Sequence, residues 1–343
     1  METADTSEFR YDPLTGHTVV IARQRKNRPQ EYPLPETFPD GKKCPFCRGQ
    51  EDETPTPTAV YNGQGVLTDV NEKDWSIRVV PNKYPSVQSS SKHVSEGDSL
   101  FTSETVLNSN PSHGYHEILI ESANHCRSIS ELSDDQARLT FYGIRDRILH
   151  FREKEEIVYV QVFQNVGPLA GASIQHAHCQ IIALPFVPNY VDMRIKNAKI
   201  IAKGERGDYF SQLQSTALFQ EKLKISESEN FLLFCPYVSR FPYETWLVPK
   251  EGERSFEDSS ENLLHEAATL TRRLINRLEN KKKDLSYNLL LQNFPFEEKL
   301  YQGYHWHLEV LPRLSFAAGF EWSSGCFINP VAPEEAAASL RPF

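Results

Sequence analysis

The chain has 343 residues and a mass of 39.3 kDa, which is enough for two ordinary domains or one large one. Its formal net charge of −9 and sequence pI near 5.7 argue against a nucleic-acid binder, because such proteins need a basic surface to displace counterions. The polar, acidic start and the lack of a long apolar run predict neither a secretory signal nor a membrane span. We therefore expect a cytoplasmic globular protein whose six cysteines are ligands and buried thiols.

A Cys-x-x-Cys pair is the first distinctive motif along the chain. Its spacing lets one tight turn present Cys44 and Cys47 as two thiolates to a tetrahedral ion. A redox pair is the alternative, but no thioredoxin-like strand and helix follow the motif. Spacing alone does not select two further ligands from 11 histidines. We favour His125, which follows an apolar stretch, and His176, and so predict a zinc site of two cysteines and two histidines.

Further along, the segment 171–180 sets two imidazoles two residues apart, beside small and amide residues suited to holding phosphate. On an extended strand, His176 and His178 would point to one face. A histidine can bind a metal through a ring nitrogen, or it can attack phosphorus and carry the phosphoryl group covalently. A lone His-x-His is more often structural or a metal-binding pair than catalytic. Our hypothesis is that one histidine does each job.

The region around His178 has a second copy later in the chain. Strand-like segments 159–165 and 287–293 are each followed by a His-x-His, and each is preceded by an apolar strand and a helix-like segment. Each half therefore predicts strand, helix, strand, strand. The expected fold class is α+β, with two pseudo-twofold-related halves, each a mostly antiparallel sheet with packed helices. We place the halves at residues 1–195 and 196–343.

The two copies differ in their potential ligands. The second half has no Cys-x-x-Cys, and Gly252 stands roughly where His125 would fall. These differences argue against a second metal site. His305, His307 and Glu309 alternate on one strand face and could still bind an ion, but this partial ligand set favours a solvated or hydrogen-bonded structural role.

Five segments together resemble the galactose-1-phosphate uridylyltransferase family, within the histidine-triad superfamily. They are YDPLTG at 11–16, RKNRP at 25–29, CPFC at 44–47, RVVPNKYP at 78–85 and HAHCQ at 176–180. The resemblance implies an enzyme that moves a nucleoside monophosphate between a nucleotide sugar and a hexose 1-phosphate, of the UDP-glucose:hexose-1-phosphate uridylyltransferase type. It also suggests a homodimer with the site near the subunit interface.

The same resemblance assigns roles to particular residues. His178 would be the nucleophile, and Gln180 would replace the last histidine of the hydrolytic branches with a neutral amide donor. The implied zinc ligands are again Cys44, Cys47, His125 and His176. The residues that resemble the nucleotide and phosphate contacts of the family are Arg25, Arg28, Asn82, Asn165, Gly171, Ser173 and Gln175.

The sugar end of the site departs from the family pattern. Phe320 and Glu321 match a hexose-contact motif, but Ser315 stands where a basic residue is expected and Phe327 where a glutamine is expected. Residues 324–330 are more similar to the ADP-glucose phosphorylase branch, which would use phosphate as the acceptor, although the second Cys-x-x-Cys of that branch is missing. Two other classes stay open: a non-catalytic nucleotide-binding regulator and a zinc-stabilised interaction module.

Overall fold

The computed structural model describes residues 7–27, 43–89, 112–250, 255–296 and 304–343. Its strands are β1 Glu8–Tyr11, β2 Thr18–Ile21, β3 Ala59–Tyr61, β4 Ile77–Pro81, β5 Tyr115–Ile120, β6 Tyr159–Val166, β7 His178–Leu184, β8 Lys224–Glu227, β9 Phe231–Phe234, β10 Thr245–Pro249, β11 Tyr287–Gln292, β12 His307–Pro312 and β13 Phe327–Asn329. Its α-helices are α1 Asp134–Arg152, α2 Asn189–Ala202, α3 Tyr209–Gln214, α4 Glu261–Lys281, α5 Gly319–Ser324 and α6 Pro333–Leu340. No helix in these ranges is both long and apolar enough to cross a membrane.

One antiparallel sheet of ten strands runs through both halves of the chain. The strand order is β3-β4-β5-β7-β6-β11-β12-β10-β9-β8. Read outward from the centre, the first five strands repeat the topology of the last five. The halves meet where β6 pairs with β11, with Val162 opposite Leu291 and Phe163 opposite Leu290. This arrangement confirms the predicted α+β class and the pseudo-twofold relation of the two halves.

A smaller three-stranded sheet ties the two ends of the chain together. β13, near the C-terminus, pairs in parallel with β2, which in turn pairs with β1. The Arg10 guanidinium contacts the Glu334 carboxylate across the same junction at 2.9 Å. The proposed boundary between residues 195 and 196 falls inside α2. The division into two domains therefore stays a prediction.

Helices α1 and α4 cover one face of the large sheet. Each begins at a serine cap, with Ser133 Oγ accepting from the Gln136 N–H and Ser260 Oγ from the Leu263 N–H. Their apolar stripes, with Ile148 and Leu274 among them, bury the main core against the sheet. The opposite face of the sheet is the one that carries His178.

That opposite face is covered differently in the two halves. Over the second half, α2 and α3 pack a second core that includes Val191 and Trp246. Over the first half, the turn with Phe46 packs on a smaller cluster around Ile120. Because no helix among the described residues covers the rest of this face in the first half, the polar side chains around His178 have room for a ligand.

Candidate active site and metal centre

Two cysteines and two histidines converge beside the start of β7. The possible ligand atoms of Cys44, Cys47, His125 and His176 all lie within 4.8 Å of one another. Cys44 Sγ lies 3.3 Å from His176 Nδ1, and Cys47 Sγ lies 3.5 Å from His125 Nδ1. A tetrahedral zinc ion requires sulfur–nitrogen separations of about 3.6 Å. The four residues therefore fit a metal ion of this kind, as the sequence predicted.

A backbone carbonyl orients the buried ligand His176. The Nε2 of His176 donates to the Ser122 carbonyl oxygen at 3.0 Å, which leaves Nδ1 free to face the cysteines. Burial lowers the pKa of His176 to about 4, so the ring is neutral and able to coordinate. Among the side chains within the described ranges, no other group of three or more His, Cys, Asp or Glu has this geometry.

His178 is buried and held in one tautomer. β7 begins at this residue, so His176 lies in the loop before the strand, yet both rings pack against Phe46, with centroids 6.0 and 5.1 Å from it. The Nδ1 of His178 donates to the His176 carbonyl oxygen at 2.6 Å. Burial lowers the pKa of His178. A neutral ring whose hydrogen is on Nδ1 carries a lone pair on Nε2, which is the form required of a nucleophile.

A histidine that the sequence analysis missed holds the amide of Gln180. The backbone N–H of Ser86 donates to Nδ1 of His116 at 3.1 Å, so the hydrogen of the neutral ring is on Nε2. That Nε2 lies 2.9 Å from Gln180 Oε1 and 3.1 Å from the side-chain nitrogen of Asn82. The oxygen of Gln180 is therefore engaged, and its amide nitrogen is left to donate to a ligand.

The loop between β6 and β7, which leads into His178, borders the site on the side away from His116. It passes through Gly167 and Gly171, whose φ values of 78° and 81° are positive and favour glycine. A cleft of about 410 Å³ lies along this loop and is lined by Asn165, Gln175 and His176 from the first half and by residues of α4 from the second. Ser173 lies on the same loop and is exposed.

The remaining predicted contacts lie elsewhere or outside the described residues. Arg25 is exposed on a short helical turn after β2, and within the described part no hydrogen bond or ion pair links it to the residues around His178. Arg28 lies outside the described residues. Phe320 is exposed and Glu321 caps α5 by accepting from the Ala318 N–H at 2.8 Å. Their roles as substrate contacts stay predictions.

The second half contains a counterpart of the His178 site that is closed. His307 Nδ1 lies 3.0 Å from the His305 carbonyl oxygen, which repeats the bond between His178 and His176. Here, however, Arg194 from α2 fills the space: its guanidinium lies 3.0 Å from His307 Nε2 and 2.7 Å from Glu309. His307 and Glu309 are fully buried and contact Arg194, which agrees with the hydrogen-bonded form of the structural role that the sequence favoured over ion binding.

Paired charges hold this closed counterpart together. Arg240 contacts the second oxygen of Glu309 at 2.7 Å and Glu244 at 2.8 Å. Burial alone would raise the pKa of Glu309, but Arg194 and Arg240 hold it well below its usual range. Two guanidinium groups thus balance two carboxylates. The positive charge that an ion would supply is already provided by Arg194.

Comparisons with known proteins agree with the motifs and the fold. A family model described as galactose-1-phosphate uridyl transferase, N-terminal domain, matches residues 1–188, and one described as a domain of unknown function matches residues 120–341. The first match spans more than half of the chain, so the chain belongs to the galactose-1-phosphate uridyl transferase family. The resemblance inferred from the sequence is thereby confirmed.

Individual relatives extend over nearly the full length. ADP-glucose phosphorylase of Arabidopsis thaliana is 30% identical over 343 residues, covering 97% of this chain and 92% of the relative. Galactose-1-phosphate uridylyltransferase of Thermotoga maritima is 26% identical, covering 97% and 98%. A crystal structure of the Arabidopsis ADP-glucose phosphorylase with bound ADP-glucose matches with a TM-score of 0.81 and 28% identity, covering 98% of this chain and 99% of that one.

Proposed function

We propose that the chain is a nucleotidylyltransferase that carries a nucleoside monophosphate on His178. One observation supports this most directly: the ring of His178 is buried, its Nδ1 hydrogen is held by the His176 carbonyl oxygen, and its Nε2 is left as the reactive nitrogen. The neighbouring amide of Gln180 has its oxygen occupied by His116. A neutral nucleophile beside an amide donor suits attack on a phosphorus atom.

The reaction takes place in two balanced steps. In the first, His178 Nε2 attacks the α-phosphorus of a nucleotide sugar, the bond from phosphorus to the bridging oxygen breaks, and a sugar 1-phosphate leaves. In the second, an acceptor oxygen attacks the same phosphorus and breaks the phosphorus–nitrogen bond, which returns the lone pair to His178. Gln180 donates to the phosphoryl oxygen without supplying a proton, so water is not favoured as the acceptor.

For the substrates we propose ADP-glucose as the donor and inorganic phosphate as the acceptor, which would release glucose 1-phosphate and then ADP. ADP-glucose phosphorylase is the activity named for a relative 30% identical over almost the whole chain and for a structure that matches with a TM-score of 0.81. Ser315 and Phe327 also lack the cation and amide expected for a hexose 1-phosphate acceptor.

A second candidate is UDP-glucose:hexose-1-phosphate uridylyltransferase. It is favoured by the family model over residues 1–188 and by the Thermotoga maritima relative, which is 26% identical and covered over 98% of its length. Both candidates use the same two steps at His178 and differ in the base and the acceptor.

The metal centre would support the catalytic strand. Cys44, Cys47, His125 and His176 would hold one zinc ion, and a closed site with four protein ligands supplies rigidity and no open position for chemistry. Phe46 lies between the two cysteines and packs its ring 5.1 Å from that of His178. The turn therefore supports the nucleophile directly.

We also propose that the working form is a homodimer. Phe320 and Trp322 of α5 are 47% and 80% exposed, an unusual exposure for large apolar side chains, and the family resemblance places this segment at the sugar end of a site. A second copy of the chain would cover them and bring Glu321 to the sugar.

The experiment that tests the proposal is a labelling assay. The protein is incubated separately with ADP-glucose and UDP-glucose radiolabelled at the α-phosphate, and acid-labile label on the denatured protein is counted. Label from ADP-glucose that phosphate releases as ADP supports the first candidate. Label from UDP-glucose that a hexose 1-phosphate releases as a nucleotide sugar supports the second. No label from either donor would overturn the proposed function.

A further inference from the structure

We propose that Asn288 and Arg313, both in the second half of the chain, are positioning residues for nucleotidyl transfer, because together they fix the amide of Asn165 beside His178. This inference rests on the proposed function. It extends that function from the strand that carries the nucleophile to side chains of the other half.

The register of the sheet brings His178, Asn165 and Asn288 into one row. Across β6 and β7, Gln164 is paired with Cys179, so Asn165, the next residue, comes level with His178. On the other side of β6, Asn165 is paired with Asn288 of β11. The row therefore passes from the nucleophile through Asn165 into the second half.

Two contacts with fixed roles orient the amide of Asn288. Arg313 Nε, which can only donate, lies against Asn288 Oδ1. The Ala170 carbonyl, which can only accept, lies 3.0 Å from Asn288 Nδ2. The oxygen of Asn288 therefore faces Arg313, and its nitrogen faces the loop.

The orientation of Asn165 follows from that of Asn288. The same Asn288 nitrogen lies 2.7 Å from the side chain of Asn165, so the atom it meets there is the acceptor Oδ1. The Nδ2 of Asn165 then points away from Asn288, and the hydrogen bonds of the described residues give it no acceptor. This amide nitrogen is left to donate to a phosphoryl oxygen at His178, on the other side from Gln180.

The second half also holds the loop that follows Asn165. A Cβ built on Gly167 would lie 2.2 Å from Ser286 Oγ, so the loop passes against the start of β11 with no room for a side chain. Arg313 is half-buried, packs 4.4 Å over the ring of Phe241, and forms no ion pair with a described acid. Its neutral partner Asn288 is therefore its main polar contact in the described part of the chain.

The test is a substitution that keeps shape but removes donation. Asn288→Asp leaves Arg313 with an acceptor, but its carboxylate cannot donate to Asn165 or to Ala170. The Asn165 amide should then turn its nitrogen toward the new carboxylate and present its oxygen to the phosphate. We expect the rate of labelling of the protein by the nucleotide sugar to fall about a hundredfold, as for loss of one oxyanion donor. Asn71→Asp, on an exposed turn, is the matched control and should keep the full rate.

A double-mutant cycle separates positioning from a general structural effect. In an Asn165→Ala background, Asn288→Asp should slow labelling by no more than about threefold, because the group through which it acts is gone. Arg313→Gln provides a second variant in case Asn288→Asp does not fold. The loss of labelling rate that Arg313→Gln causes should also vanish in the Asn165→Ala background. Full, additive losses, or a normal rate in Asn288→Asp, would overturn the inference and leave the proposed function standing. A wild-type protein that is never labelled would overturn both.

Discussion

His176 contacts the cysteines through its side chain and His178 through its backbone carbonyl oxygen. The Nδ1 of His176 faces Cys44 Sγ at 3.3 Å, while the carbonyl oxygen of the same residue accepts from Nδ1 of His178 at 2.6 Å. A shift of the His176 backbone would therefore move both the metal ligand and the acceptor that sets the tautomer of His178. This relationship links the metal centre to the chemistry without requiring the metal to contact a substrate.

The nucleophile can be tested by replacing it. His178→Gly should abolish labelling by a nucleotide sugar and all transfer, because the other imidazole beside Gln180, that of His116, has both ring nitrogens engaged by Ser86 and Gln180. His265→Gly, at an exposed position in α4, controls for the loss of an imidazole and should retain labelling. The measurement is the amount of acid-labile label on each variant. An undiminished signal in His178→Gly would show that His178 is not the nucleophile.

The metal centre predicts the metal content. We expect about one zinc ion per chain, and a lower Tm after prolonged chelation, because ligand binding is coupled to folding. Cys44→Ser should lower the zinc content and the Tm, whereas Cys326→Ser should change neither, since Cys326 is outside the ligand group. Elemental analysis checks this directly. A zinc-free native protein, or a disulfide between Cys44 and Cys47, would contradict it.

Acceptor specificity follows from the residues at the sugar end. Without the cation and the amide that Ser315 and Phe327 replace, galactose 1-phosphate should be a poorer acceptor than inorganic phosphate, by about a hundredfold. Steady-state kinetics over a panel of acceptors measures the ratio of kcat/KM values. Equal efficiency with galactose 1-phosphate would mean that other residues supply the missing contacts.

The closed counterpart site predicts a large effect on stability. Arg194→Met should lower the free energy of unfolding by about 3–5 kcal/mol, because it removes one partner of a buried charge network and leaves Glu309 undercompensated. Chemical denaturation measures this, with the exposed Arg206→Met as the control. A change below about 1 kcal/mol, the scale of an exposed pair, would show that the network is not held as described.

A buried carboxyl predicts a pH dependence. Burial raises the pKa of Glu121 from 4.5 to about 7, and its Oε2 has no hydrogen-bond partner in the described residues. Between these values the folded chain binds more protons at this group than the unfolded chain, so its contribution to stability is lost as pH rises. Glu121→Gln should therefore gain about 3 kcal/mol relative to the wild type between pH 4.5 and pH 8. The exposed Glu53→Gln should follow the wild type at every pH in denaturation curves taken with zinc present.

Much of the site could be predicted from local sequence patterns. The spacing of Cys44 and Cys47 and the pair His176 and His178 are short-range signals, and the structure brings the four predicted ligands together. The repeated strands around 159–165 and 287–293 allowed the fold class to be predicted, because the alternation of apolar residues in strands and their spacing in helices are also local properties.

The supporting residues could not be predicted in the same way. His116 reaches Gln180 because β5 lies beside β7 in the sheet, although the two residues are 64 positions apart in the sequence. Arg194 meets Glu309 only because α2 packs over the second half, in a region whose structure the sequence did not indicate. A polar residue inside an apolar strand, such as His116, was the one available signal.

β6 and β11 are inner strands of the sheet only because each covers the other. If either half were made alone, a full row of backbone donors and acceptors would face solvent along an apolar strand, which is the kind of edge that recruits other chains. The central pairing of Val162 with Leu291 and Phe163 with Leu290 is symmetric, so two copies of the first half would match each other through β6 in the same register. We therefore expect an isolated first half to self-associate, because the join between the halves takes the place that a subunit interface would otherwise have.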